Sequence, residues 1–252
     1  MFTPLQKMNF NMAQQMGMNN PMMNPMMNPM MNPMMGLMSA FQPPELSVLT
    51  KETEFKIFGD ELVKNTLTHL LMRERFFAFS GEEFRIENVM GSAEFTISKK
   101  LIGFKKTLKA VDGTPVAILK RKKKTMHHRM FIMTPDETVV AIIRRQGSHF
   151  YPTAMSAAEC WILKTPLPYK KVNKDETKSR TCDLVVSGFI HMKNYGITHA
   201  DGRVIGRVAN MNMAPPGVNV IGPDLYYVTI PAFVDVAFVS ILVLCLDEMF
   251  HS

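Results

Sequence analysis

The residues best equipped for chemistry stand in one run, Lys120-Arg121-Lys122-Lys123-Lys124, followed closely by His127, His128 and Arg129. Clustered ammonium and guanidinium groups hold phosphates through charge-assisted hydrogen bonds, so Lys120, Arg121, Lys122, Lys123, Lys124 and Arg129 are candidates for binding an anionic ligand. The same run also reads as a nuclear-localisation or nucleic-acid patch, or as a solvated strand end and loop. If the run is extended, Lys120 and Lys122 face one side and Arg121 and Lys123 the other, so the five cannot share one pocket. Further pairs, Lys99-Lys100, Lys105-Lys106, Arg144-Arg145 and Lys170-Lys171, extend a basic face if neighbouring hairpins bring them together. The formal net charge of +7 and pI near 9.3 favour acidic partners of some kind.

Other chemistry finds little support. No G-x-S-x-G, P-loop, G-x-G-x-x-G or H-E-x-x-H is present, and no carboxylate stands near His127-His128 to orient a general base. No enzyme activity and no cofactor are expected. Cys160, Cys182 and Cys245 are odd in number and widely spaced, which points to neither a disulfide framework nor a zinc site and suits a reducing compartment. Cys160, next to Trp161, reads as a strand interior and not as a nucleophile. The acids Asp224, Asp235, Asp247 and Glu248 lack the alternation of a calcium loop.

The elements that must position the basic run follow from pattern. Residues 1–44 carry one charge, Lys7, and repeat Asn-Pro-Met-Met four times from Asn20 to Met35. A proline every fourth residue forbids regular helix, so this stretch reads as a disordered tail. Its thioethers are soft ligands of the kind Cu(I) takes, but no His or Cys stands nearby to complete a site, and a low-complexity expansion is the simpler reading. The N-terminus shows neither a signal peptide nor a myristoylation glycine.

Residues 45–74 are expected to form a helical extension, because Phe55, Phe58, Leu62, Val63, Leu67, Leu70 and Leu71 recur mostly at three- and four-residue spacings. Beyond Arg75 short extended runs alternate with turn signals. Strands are expected around Phe76–Phe79, Phe84–Asn88, Glu94–Ser98, Lys105–Ala110, Val116–Arg121, Met130–Thr134, Val139–Arg144, Cys160–Thr165, Leu184–His191, Tyr195–Thr198, Val204–Ala209 and Tyr226–Ile230, with hairpin signals at Asp112-Gly113 and Asp201-Gly202. The segment from about 233 to 250 is apolar on nearly every face and reads as a helix enclosed by protein or lipid. Spanning a bilayer takes about 20 apolar residues, more than the charge-free stretch Val236–Leu246 offers, so a buried core helix is expected and no transmembrane span.

Three stretches resemble the LURP-one-related family. The ending TIPAFVDVAFVSILVLCLDEM is similar to its C-terminal signature, DGTPVAILKRKKKTMHHRMFI (Asp112 to Ile132) to its basic hairpin region, and CDLVVSGFI (Cys182 to Ile190), with the Asp201-Gly202-Arg203 turn and VIGRVA, to a third block. The resemblance covers roughly residues 75–252, leaving the first 74 without a counterpart. It implies a mainly β fold, a closed antiparallel barrel of about twelve strands around a central hydrophobic C-terminal helix, as in tubby C-terminal domains and phospholipid scramblases. The leading expectation is a monomeric, non-catalytic binding or adaptor protein, cytoplasmic, peripheral to membranes or nuclear. It would touch anionic lipid such as phosphoinositide, or an acidic protein, through the Lys120–Arg129 face. A scramblase-like protein with an inserted last helix and a nucleic-acid-binding regulator are the alternatives.

Overall fold

The computed structural model describes residues 44–74, 82–99, 105–122, 129–146, 156–172, 174–177, 180–210 and 225–251. All belong to one compact unit, Phe41–Ser252. The tail through residue 43, the Phe76–Phe79 strand, Lys100, Lys123, Lys124, His127, His128 and Asp224 lie outside the described residues.

Alternating apolar positions and short turns build fourteen strands among the described residues: β1 (Val63–Lys64), β2 (Thr68–Glu74), β3 (Glu82–Asn88), β4 (Ala93–Lys99), β5 (Lys105–Ala110), β6 (Pro115–Arg121), β7 (Met130–Met133), β8 (Thr138–Gln146), β9 (Ser156–Pro168), β10 (Leu184–Phe189), β11 (Asn194–His199), β12 (Val204–Asn210), β13 (Leu225–Ile230) and β14 (Val234–Asp235). Strands β2 to β13 form a closed antiparallel barrel, each paired with its sequence neighbours and β13 closing onto β2. Closure leaves no unpaired edge. β1 pairs separately with β14.

One helix, α1 (Val236–His251), follows β14 and supplies the barrel's core. From Val236 to Leu246 no side chain is more than 1% exposed, which is why the sequence is apolar all round. The lumen face of the wall repeats at every second residue, as in Leu70 and Met72, Phe84 and Ile86, Ala117 and Leu119, or Met130 and Ile132. No described helix is long and apolar enough to cross a membrane.

The helix expected over the 45–74 segment does not form. Instead the chain makes two single 3₁₀ turns, Lys51–Thr53 and Asp60–Leu62, then β1 and β2, so the barrel ring begins at Thr68. Leu70 and Met72 face the lumen and Leu71 an outer cluster with Leu225 and Tyr227. Residues 44–64 form a strap instead of a helix, with Leu49 and Phe55 buried in the core.

Strand direction alternates, so the turns after β3, β5, β7 and β11 share the end where α1 begins. Four of them are five-residue turns of one kind. Their outer residues bond as Asn88 N–H to Ser92, Ala110 N–H to Thr114, Thr134 N–H to Thr138 and His199 N–H to Arg203, and the fourth residue has positive φ: Gly91, Gly113, Glu137 and Gly202. Glycine takes this conformation freely, whereas Glu137 does so at a cost.

In the last of these turns Asp201 accepts from the Arg203 guanidinium and from His199. Burial pushes its carboxyl up, but hydrogen bonds from the Arg203 N–H, His199 and the Arg203 side chain outweigh this and leave it lowered to about 2. A depressed carboxyl stabilises the fold above its unfolded value of about 3.9 and loses that contribution as pH falls through 2. NMR titration of the Asp201 carboxyl is therefore expected to give a midpoint near 2 rather than 4. The accompanying stability change is small, because the side chain is 43% exposed.

Candidate anion-binding face

Strand alternation divides the basic run. Ala117 and Leu119 pack on α1, while Ile118 belongs to a second cluster on the outer wall with Phe131, Met133, Val139, Ile142 and Leu163. Arg121 therefore has the parity of the lumen side, and Lys120 and Lys122 that of the outer wall. Two of the other basic pairs are split in the same way. Lys105 pairs outward with Glu137 and Lys106 inward with Glu248, while Arg144 lies outward and Arg145 inward over the Phe250 ring at 4.5 Å. Lys170 and Lys171 sit in a 3₁₀ turn after β9.

Register then assembles a row that the primary sequence does not display. Arg121 pairs with Met130 and Met130 with Ile143, so one residue further along, Lys122, Arg129 and Arg144 stand side by side on the outer wall. The Lys122 N–H bonds the Arg129 carbonyl at 3.0 Å, which extends this ladder. Arg144 pairs next with Glu159 of β9, its guanidinium 2.7 Å from the carboxylate and 4.9 Å from the Trp161 ring. Arg129 is half-buried and its guanidinium lies 3.5 Å from the Thr177 hydroxyl. Burial lowers its pKa, and the neighbouring positive charge of Arg144 lowers it further. Like charges on adjacent strands repel, and the Glu159 carboxylate on Arg144 offsets part of that repulsion.

Lys120 is engaged differently. Its ammonium lies 3.7 Å from the centre of the Tyr169 ring, and Tyr169 packs edge-on against Phe131. Its charge thus borders the row while its stem helps cover the outer apolar cluster. Arg144, not among the candidates read from the sequence, is the member brought in by pairing of β7 with β8. Its signal was present only as the Arg144-Arg145 doublet.

Burial pushes the Cys160 and Cys245 thiols far up and raises that of Cys182, which disfavours the thiolate at each. No group of three His, Cys, Asp or Glu side chains among the described residues is placed to hold a metal ion. Asp235 and the Asp247-Glu248 pair stand at opposite ends of α1.

A closed twelve-strand antiparallel barrel with an apolar helix through its lumen defines the tubby C-terminal-like class of protein. The model of the LURP-one-related family matches residues 68–247, and the chain belongs to that family. Its fold is similar to the crystal structure of an Arabidopsis thaliana protein, at 16% identity over 77% of this chain and 97% of that one, with a TM-score of 0.52. No curated protein matches the sequence.

Proposed function

We propose that this protein is a non-catalytic binding module that docks peripherally on anionic lipid, phosphoinositide above all, through the outer face around Lys120, Lys122 and Arg129. The observation that carries the reading is the row of three cations, Lys122, Arg129 and Arg144, on neighbouring strands of one outer wall. Such a row sets Lys122 and Arg129 beside an Arg144 that Glu159 already pairs, and anionic lipids concentrate on the cytoplasmic leaflet. Enclosure of α1 by twelve strands argues against docking by an inserted last helix, because insertion would require opening the ring.

The test is co-sedimentation of the full chain with phosphatidylcholine vesicles, with and without phosphatidylinositol bisphosphate, at several salt concentrations. Each cation near an anionic surface contributes about 1 kcal/mol, so Lys122→Gln with Arg129→Gln is expected to weaken binding roughly 30-fold and flatten its salt dependence. A folded wild type that binds neither vesicle would overturn the lipid reading and leave an acidic protein surface as the partner to seek.

A further inference from the structure

Asp235 immediately precedes the first turn of α1, and it is fully buried. Its two oxygens serve different elements. Oδ1 accepts the Phe238 N–H at 2.9 Å and caps the first turn of α1. Oδ2 accepts the N–H groups of Ile57 and Phe58, at 3.1 and 2.7 Å, from the strap. The backbone around it is held the same way, since Asp235 N–H donates to the Phe55 carbonyl and Phe55 N–H to that of Phe233. The rings of Phe55 and Phe58 cover Phe238, with centroids 5.4 and 6.3 Å away.

The strap is fastened at a second place. Ser47 exchanges hydrogen bonds with Val204, and the Arg203 guanidinium, steadied by Asp201, donates to the Thr53 carbonyl. His199 meets the Phe55 ring edge-on at 6.1 Å. The strap's own turn, Lys51–Thr53, buries nothing. The barrel ring closes through its own ladder of strands without any strap residue, and the family match begins only at residue 68. An element with few buried anchors, attached to a ring that is complete without it, opens by itself at lower cost than the whole fold.

We infer that residues 47–58 are a releasable latch over the start of α1, with Asp235 coupling latch to helix and the Asp201–Arg203 turn as its keeper. Opening uncovers Phe238 and the first turn of α1 without breaking a barrel strand. The coupling is built into one carboxylate. Burial pushes the Asp235 carboxyl up, and the hydrogen bonds from Phe58, Phe238 and Ile57 pull it back, so losing the strap donors leaves the buried charge poorly held.

The experiment is residue-resolved amide hydrogen exchange on the full chain, comparing wild type with Arg203→Ala and Asp235→Asn. Arg203→Ala removes a half-buried keeper and is expected to speed exchange at Ile57 and Phe58 and at Phe238 and Val239 together. Amides of β5 to β8 and of Leu244 to Met249 stay at wild-type rates. Asp235→Asn has a single acceptor oxygen and can serve the helix or the strap but not both, so the strap amides are expected to exchange on the order of tenfold faster or more. A strap that loosens with no change at Phe238 and Val239 in either variant would overturn the coupling. Faster exchange spreading equally through β5 to β8, or none at the strap in Arg203→Ala, would overturn the latch.

Discussion

Alanine at Ile241, Leu242 or Leu244 is expected to cost about 2–5 kcal/mol at each position. Successive residues of a helix point about 100° apart, so these three spread over roughly 160° of the circumference, wider than the ~100° apolar stripe of a surface helix. All three are fully buried, because the barrel wall surrounds the helix. A helix lying on a surface would instead show one costly stripe and a tolerant opposite side. Against a total stability of about 5–15 kcal/mol for an ordinary domain, each substitution removes a large share. Urea unfolding of the full chain, followed by tryptophan fluorescence from the buried Trp161, measures the three values. A position that tolerates alanine at under about 1 kcal/mol would mean that the wall is missing on that side.

The same wall explains which features could be read beforehand. Strand β5 was legible to the residue, Lys105–Ala110, because its alternation is set by a lumen on one side and solvent on the other. β2 was not, and the reason lies in its composition. Thr68-His-Leu-Leu-Met-Arg-Glu74 has no aromatic and only one β-branched residue, and its leucines completed a three-and-four spacing begun by Phe55, Phe58 and Leu62. Those residues owe their burial to separate causes. Phe55 plugs the start of α1, Leu70 faces the lumen and Leu71 the outer cluster, so the apparent helical period came from three unrelated contacts.

The candidate face was half legible for a similar reason. Parity within one strand follows from sequence, and it separated Lys120 and Lys122 from Arg121. The arrival of Arg144 beside Arg129 depends on the Met130–Ile143 register, which no local pattern encodes. Asp235 stood in the sequence only among acids without a calcium loop's alternation, since the strap amides that use its Oδ2 lie 178 and 177 residues away.

The other large effect is expected at the far end of α1. Lys106 has a lumen-facing position, is only 4% exposed, and pairs there with Glu248 while lying 5.2 Å from the Phe84 ring centre. The pair sits at the helix C-terminus, where a cation also offsets the negative end of the helix dipole. Lys106→Met keeps most of the stem and its packing but takes the buried cation away from the Glu248 carboxylate. Removing one member of a buried pair is destabilising, and the expected cost is about 3 kcal/mol, at the low end because Glu248 keeps 23% of its surface in solvent. Combining Lys106→Met with Glu248→Gln removes both charges, and the double variant is expected to return to within about 1 kcal/mol of wild type, since a buried ion pair adds little net stability over a neutral replacement. Denaturant midpoints of the four proteins close the cycle. If the two single losses simply add in the double variant, the charges are not coupled, and Lys106 holds the barrel mouth through its contact with Phe84 instead.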